Sequence, residues 1–226
     1  MKTIKHFLFT NFETLFPLIL LSSLSLFILM VRLKITHSFF FLFLVWNLFL
    51  AFIPFVISFL LKQQTKGSKY GLFLGFCTWL LFLPNAPYIV TDLIHLRHSG
   101  PTQIWLDALM ITLFALSGLL CYFLSMRHME IVLAKHFSKK PIHFLLIAIH
   151  FLTGFGIYLG RFLRFNSWDI LQEPSGIFSK IFQIICCPHL HKGAWLVTII
   201  FGMSLWFLYR ISIKQAWLFP KKIKIL

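Results

Sequence analysis

Charge is what this sequence has least of. Charged side chains make up 12% of its 226 residues, about half of the ~25% usual in soluble domains. Long polar stretches are missing as well. The longest connections between apolar runs, residues 127–141 and 165–193, are too short to build an independent core, which excludes an additional soluble domain. Cysteine is scarce, with 4 in the chain. Cys77 and Cys121 fall within apolar runs as small buried hydrophobes, so a disulfide framework is excluded. Cys186 and Cys187 stand in a connection beside His189 and His191, but adjacent cysteines fit no zinc spacing, so no metal site is assigned and no cofactor follows. There is no P-loop, G-x-S-x-G, H-E-x-x-H or dinucleotide fingerprint, and the familiar soluble mechanisms therefore have no foothold.

What is present is apolar: 59% of the residues are hydrophobic, 18% are aromatic, and the mean hydropathy is +0.86. Apolar runs at residues 15–31, 39–61, 71–90, 104–126, 142–163 and 194–213 are mostly near the ~20 residues that a membrane crossing requires. The pattern predicts an all-α fold, a polytopic transmembrane helix bundle of about six spans, with residues 1–226 forming a single integral membrane domain. Lys2 and Lys5 precede the first run like the start of a signal peptide. That run is long, however, and no small-residue cleavage site follows it, so it reads as a retained anchor.

A formal net charge of +15 invites a nucleic-acid partner, yet the basic residues sit in short clusters between spans, where they orient a membrane protein and meet anionic headgroups. With six crossings, 14 Lys and Arg fall on one side and 7 on the other. By the positive-inside rule both termini are expected in the cytoplasm, with the bacterial cytoplasmic membrane as the location and membrane lipids as partners. Asp92, Asp107, Asp169 and Glu173 then belong to the outer side.

The third run carries the most information. From Gly71 to Leu83 there are thirteen residues, roughly 20 Å of helix, before Pro84, Asn85 and Pro87 interrupt a crossing of about 30 Å. The helix is expected to kink or stop within the membrane, a place where backbone groups need protein or a watery cavity to satisfy them. Beyond the break the chain can restart as a short α-helix, with Asn85 as N-cap and Pro87 in its first turn. At 100° per residue its polar face would carry Tyr88, Thr91, Asp92, His95 and His98. Asp92 and His95, three apart, are neighbours on that face and are the candidate catalytic pair, suited to an oriented acid/base imidazole or to a metal pair. The alternative is an interfacial helix whose polar side meets water and headgroups.

The fifth run aligns His143, His150, Gly154, Ile157, Tyr158, Arg161, Arg164 and Trp168 on one side. His150 falls near mid-membrane, where an ionisable group is a functional candidate by default, or a neutral ring bonded to a neighbouring helix. Arg161 and Arg164, with Asn166 and Asp169 after them, can clamp a phosphate or carboxylate. They can equally snorkel to headgroups or pair with Asp92 and Asp169. Asn47 of the second run is placed to reach the broken span or to bond between helices. Asp107 is a candidate counter-ion for Arg161 or Arg97, and Gly118, Cys121 and Ser125 share its stripe as helix-packing residues. The segment 176–193 spaces Ile177, Phe178, Ile181, Phe182 and Ile185 as a helix lying in the interface.

In the blocks WNLFLAFIPF, LFLPNAPYIVTDLIHL and GIYLGRFLRFNSWDIL the chain resembles the domain of unknown function 1361 family, predicted bacterial integral membrane proteins. The resemblance implies membership without an activity, so no catalytic role is carried over from it. Three readings of function follow from the residues. The first is an outer-leaflet polar pocket that binds an anionic, possibly lipid-linked ligand through Asn47, Asn85, Asp92, His95, Arg161, Arg164, Asn166 and Asp169. The second is a proton-coupled transporter with His143 and His150 in its path. The third is a membrane assembly partner in which Asp92–Arg161 and Asp169–Arg164 lock the outer ends of the helices.

Overall fold

The structure, a computed structural model, describes residues 2–64 and 68–214. Among these residues all regular secondary structure is helical. Helix α1 spans Lys2–Thr36, α2 Phe43–Gln63 and α3 Lys69–Phe82; the third crossing then continues through α4, Asn85–Tyr88, and a 3-10 helix, Ile89–His98. Helix α5 spans Ile104–Ala134, α6 Lys139–Phe162, α7 Asp169–Gln172, α8 Pro174–Cys186 and α9 Lys192–Lys214. Six of these helical stretches are long and apolar enough to cross a membrane. Four of the basic residues that set the expected orientation, Lys66, Lys221, Lys222 and Lys224, lie outside the described residues.

Helix α5 is the axis of the bundle. Of its most apolar window 67% is buried, against 28–39% for the other five crossings. Helices α1 and α2 and the broken third crossing pack around it, while α6 pairs chiefly with α9. Phe49, Leu60, Ile200 and Phe207 are exposed on the outside of the bundle, an arrangement untenable in water and ordinary against lipid tails. Several polar side chains inside the bundle bond between helices or back to their own. Trp79 Nε1 donates to Ser125 Oγ (2.6 Å), which donates in turn to the Pro54 carbonyl (3.0 Å), and Ser25 meets Ser117 at 3.2 Å.

The first helix is longer at its far end than its apolar run. Arg32 and Lys34, expected in a connection, lie within α1, and Arg32 is buried. Its Nε donates to Asp107 Oδ1 (3.0 Å), its Nη1 donates to the Ser38 carbonyl (3.0 Å), and its guanidinium carbon lies 4.6 Å from the Phe41 ring centre. Ser99 Oγ donates to the other Asp107 oxygen at 2.6 Å. The counter-ion of Asp107 is therefore Arg32, in place of the expected Arg161 or Arg97.

The break in the third crossing is a change of helix type, from α3 through Leu83 and Pro84 into α4 and the 3-10 helix. Leu83 and Pro84 hold right-handed helical dihedrals. Pro84 and Pro87 lack N–H groups, so the hydrogen-bond ladder cannot run through them, and Ala86 N donates instead to Leu83 O, three residues back. Two side chains take up carbonyls around this step: Asn85 Nδ2 donates to Phe82 O and Ser167 Oγ donates to Leu81 O, both at 3.0 Å. Asn85 is thus not the N-cap that its position suggested; Pro84 occupies the cap, without a side-chain bond. Two glycines let neighbouring helices close on the step. A Cβ at Gly118 would stand 2.3 Å from Ala86 O, and one at Gly156 would stand 2.4 Å from Pro84 Cγ.

The 3-10 helix that follows runs for 10 residues, where such helices seldom exceed three or four. At three residues per turn, Ile89, Asp92, His95 and His98 stack in one column. After α6, helix α8 exposes Phe178, Phe182 and Ile185 and buries Ile177 and Ile184, consistent with the expected interfacial helix.

Candidate functional site

The polar residues of the third crossing meet α6 and α2 at one end of the bundle. Asp92 is 1% exposed, and both of its oxygens are taken: Asn47 Nδ2 donates to Oδ2 at 2.8 Å, and Arg161 Nη2 donates to Oδ1. Arg161 also donates from Nε to Thr91 Oγ1 (2.8 Å) and from Nη1 to His95 Nε2 (3.3 Å). Its guanidinium carbon lies 4.4 Å from the centre of the Tyr88 ring. One arginine therefore reads four residues of the broken segment, Tyr88, Thr91, Asp92 and His95, with a planar fork that lysine could not reproduce.

This arrangement separates the expected catalytic pair. His95 Nε2 is 4.0 Å from Asp92 Oδ1, beyond a hydrogen bond, and Arg161 bonds to both. Because a guanidinium can only donate, Nε2 must accept, which leaves the ring proton on Nδ1. Nδ1 is buried without a partner among the described residues, and the ring lies 4.9 Å from that of Phe43 and 6.0 Å from that of Phe40. His95 in this state has no uncommitted basic nitrogen.

The other sequence candidates divide between the cluster and its surroundings. Asn47 joins the cluster directly. Asn85 lies one layer away, bonded to Ser167 Oγ at 3.0 Å. Arg164 follows the end of α6 with a left-handed backbone, φ 60°, is exposed, and lines a shallow groove with Asp169, Gln172 and Glu173. Asp169 closes its own turn, accepting from Asn166 N (2.7 Å) and Asn166 Nδ2 (3.2 Å). The expected Asp169–Arg164 pair is not formed. Trp168 lies against Trp46 of α2, ring centres 6.3 Å apart.

His143 lies near the other end of α6 and His150 about halfway along it, and neither connects to Arg161. His150 is fully buried and its Nδ1 donates to the Leu146 carbonyl. Between it and Arg161, Thr153 bonds back to the Ile149 carbonyl and Ile157 is buried and apolar. Among the described residues no group of three or more His, Cys, Asp or Glu side chains is placed to hold a metal ion.

Sequence reasoning missed Arg32, Ser99 and Ser167. Arg32 carried a signal, a lone arginine at the edge of an apolar run that helical residues extend by another turn. Ser167, a small polar residue in the connection after α6, carried none.

Helices, lipid-facing surface and internal ion pairs together define a multi-pass integral membrane protein of unknown activity. A family model described as a protein of unknown function (DUF1361) matches residues 46–208, and the chain belongs to that family. The matched stretch contains Asn47, Thr91, Asp92, His95 and Arg161. No curated protein and no solved structure matches the chain.

Proposed function

We propose that the Arg161 cluster is the floor of a site for an anionic ligand, such as the headgroup of a lipid or lipid-linked intermediate, at the outer leaflet of a bacterial cytoplasmic membrane. The observation that carries this reading is the state of the guanidinium. Three of its N–H groups are fixed by Thr91, Asp92 and His95, two are uncommitted, and the side chain keeps 15% of its exposure. A cation held in place and partly open is prepared for an oxyanion. Arg164, exposed three residues further on, supplies the charge that Asp92 cancels at Arg161. The role is binding, because His95 offers no uncommitted base.

Native mass spectrometry of the purified protein tests this. Arg164→Gln alters an exposed residue without hydrogen bonds of its own and should lower retention of co-purified anionic lipid by about fivefold, the worth of one basic residue near a membrane surface. Arg161→Ala should lower it further. Undiminished retention in both variants would overturn the reading.

A second reading makes the cluster a lock, and the burial of Asp92 between Arg161 and Asn47 favours it, since these bonds join three crossings. Under it Arg164→Gln changes nothing, and the double reversal Asp92→Arg with Arg161→Asp restores the expression that either single change removes.

A further inference from the structure

The opposite end of the bundle holds a second feature, independent of the Arg161 cluster. Where α5, α6 and α9 meet, a groove of about 340 Å³ opens between them. Its wall is formed by Ile142, Leu146, Trp206 and Ile213, and its rim carries Lys139, His143 and Arg210. Lys139, His143 and Arg210 are exposed, and no salt bridge engages them among the described residues.

One acid, Glu130, also lines the groove, but its charge is answered. Glu130 Oε2 accepts from Arg127 Nη1 and from Tyr209 Oη, each at 2.7 Å. The groove as a whole is thus apolar within and cationic at its mouth. Its depth matches the membrane. Along α5 about twenty residues separate Asp107 from Arg127, roughly 30 Å, the thickness of a hydrocarbon core. If Asp107 marks one edge, the rim of the groove lies at headgroup level on the other.

We propose that this groove holds an anionic phospholipid, its phosphate between Lys139 and Arg210 and the start of one acyl chain along Ile142, Leu146 and Trp206. The apolar wall commits the site to a lipid over a free phosphate, and the unanswered cations commit it to an anionic lipid over a zwitterionic one.

The test is native mass spectrometry of the full chain titrated separately with phosphatidylglycerol, with phosphatidylcholine of the same acyl chains, and with glycerol 3-phosphate. The wild type should bind phosphatidylglycerol in preference to phosphatidylcholine. Lys139→Gln with Arg210→Gln, both at exposed positions, should weaken that preference by roughly fivefold for each charge removed. Leu146→Trp, which fills the wall, should remove the bound lipid while thermal unfolding shows the protein still folded. Should Leu146→Trp itself prevent folding, the double glutamine variant decides. A preference unchanged in that variant, or glycerol 3-phosphate displacing phosphatidylglycerol at equal concentration, would overturn the proposal.

Discussion

Asp92 and Asp107 stand at the same end of the bundle, each almost sealed from solvent and each answered by an arginine from another helix. Such pairs cost desolvation when they form, but removing one partner leaves the other charged and stranded, typically at 3–5 kcal/mol. Asp107→Ala should therefore destabilise the protein by about 3–5 kcal/mol. Replacing both partners, Arg32→Met with Asp107→Leu, should recover most of that loss. Unfolding free energies in detergent compare the two, and a double variant as unstable as the single one would show that the apolar exchange cannot substitute for the pair. Arg161→Lys should fail as a conservative change, because one ammonium cannot serve Thr91, Asp92 and His95 together; a melting temperature equal to the wild type would contradict this.

At the scale of elements, hydropathy alone located all six crossings, because a bilayer demands long apolar runs and tolerates few charges in them. The break at Pro84 was equally legible, since proline removes a donor wherever it stands. Its consequences were not. Over the three residues from Asp92 to His95 repeats of 3.0 and 3.6 diverge by only about 60°, so the two share a face in either helix and their spacing could not choose between them. Arg164 continues the polar stripe of α6 on a helical wheel, but the helix ends at Phe162 and the chain turns through a left-handed residue. Pairing between crossings, Arg161 with Asp92 or Arg32 with Asp107, depends on tertiary register that no local pattern encodes. The sequence singles out Arg161 by its place on the polar stripe of α6, beside Arg164 and on the same side as the broken span, but not by its partners. The glycines allow a direct test of the step. Gly118→Ala should cost about 1–3 kcal/mol through overpacking against the Ala86 carbonyl, whereas Gly193→Ala, with nothing within 4 Å of the added carbon, should be nearly neutral. Thermal melts that fail to separate the two would mean that the contact at Ala86 yields easily.

For the whole molecule, six crossings place residues 135–138 on one side of the membrane and the end of α8 on the other. We propose from the distribution of basic residues that the first side is the cytoplasm. Cys186 is exposed and free, so an impermeant maleimide should label it in intact spheroplasts, while a cysteine introduced as Ser138→Cys in the same protein should react only after lysis. The reverse order would invert the topology and exchange the sides of the two proposed sites. The way the helices are grouped bears on both sites. Helices α6 and α9 form a close pair, and where α6 approaches the rest of the bundle at the break, the ring of Pro84 sits against the bare backbone of Gly156. That contact resembles a knuckle in its socket. Arg161 lies just over one turn beyond it on the same helix and the groove lies at the far end, so any tilt of the pair about this point moves its two ends in opposite directions.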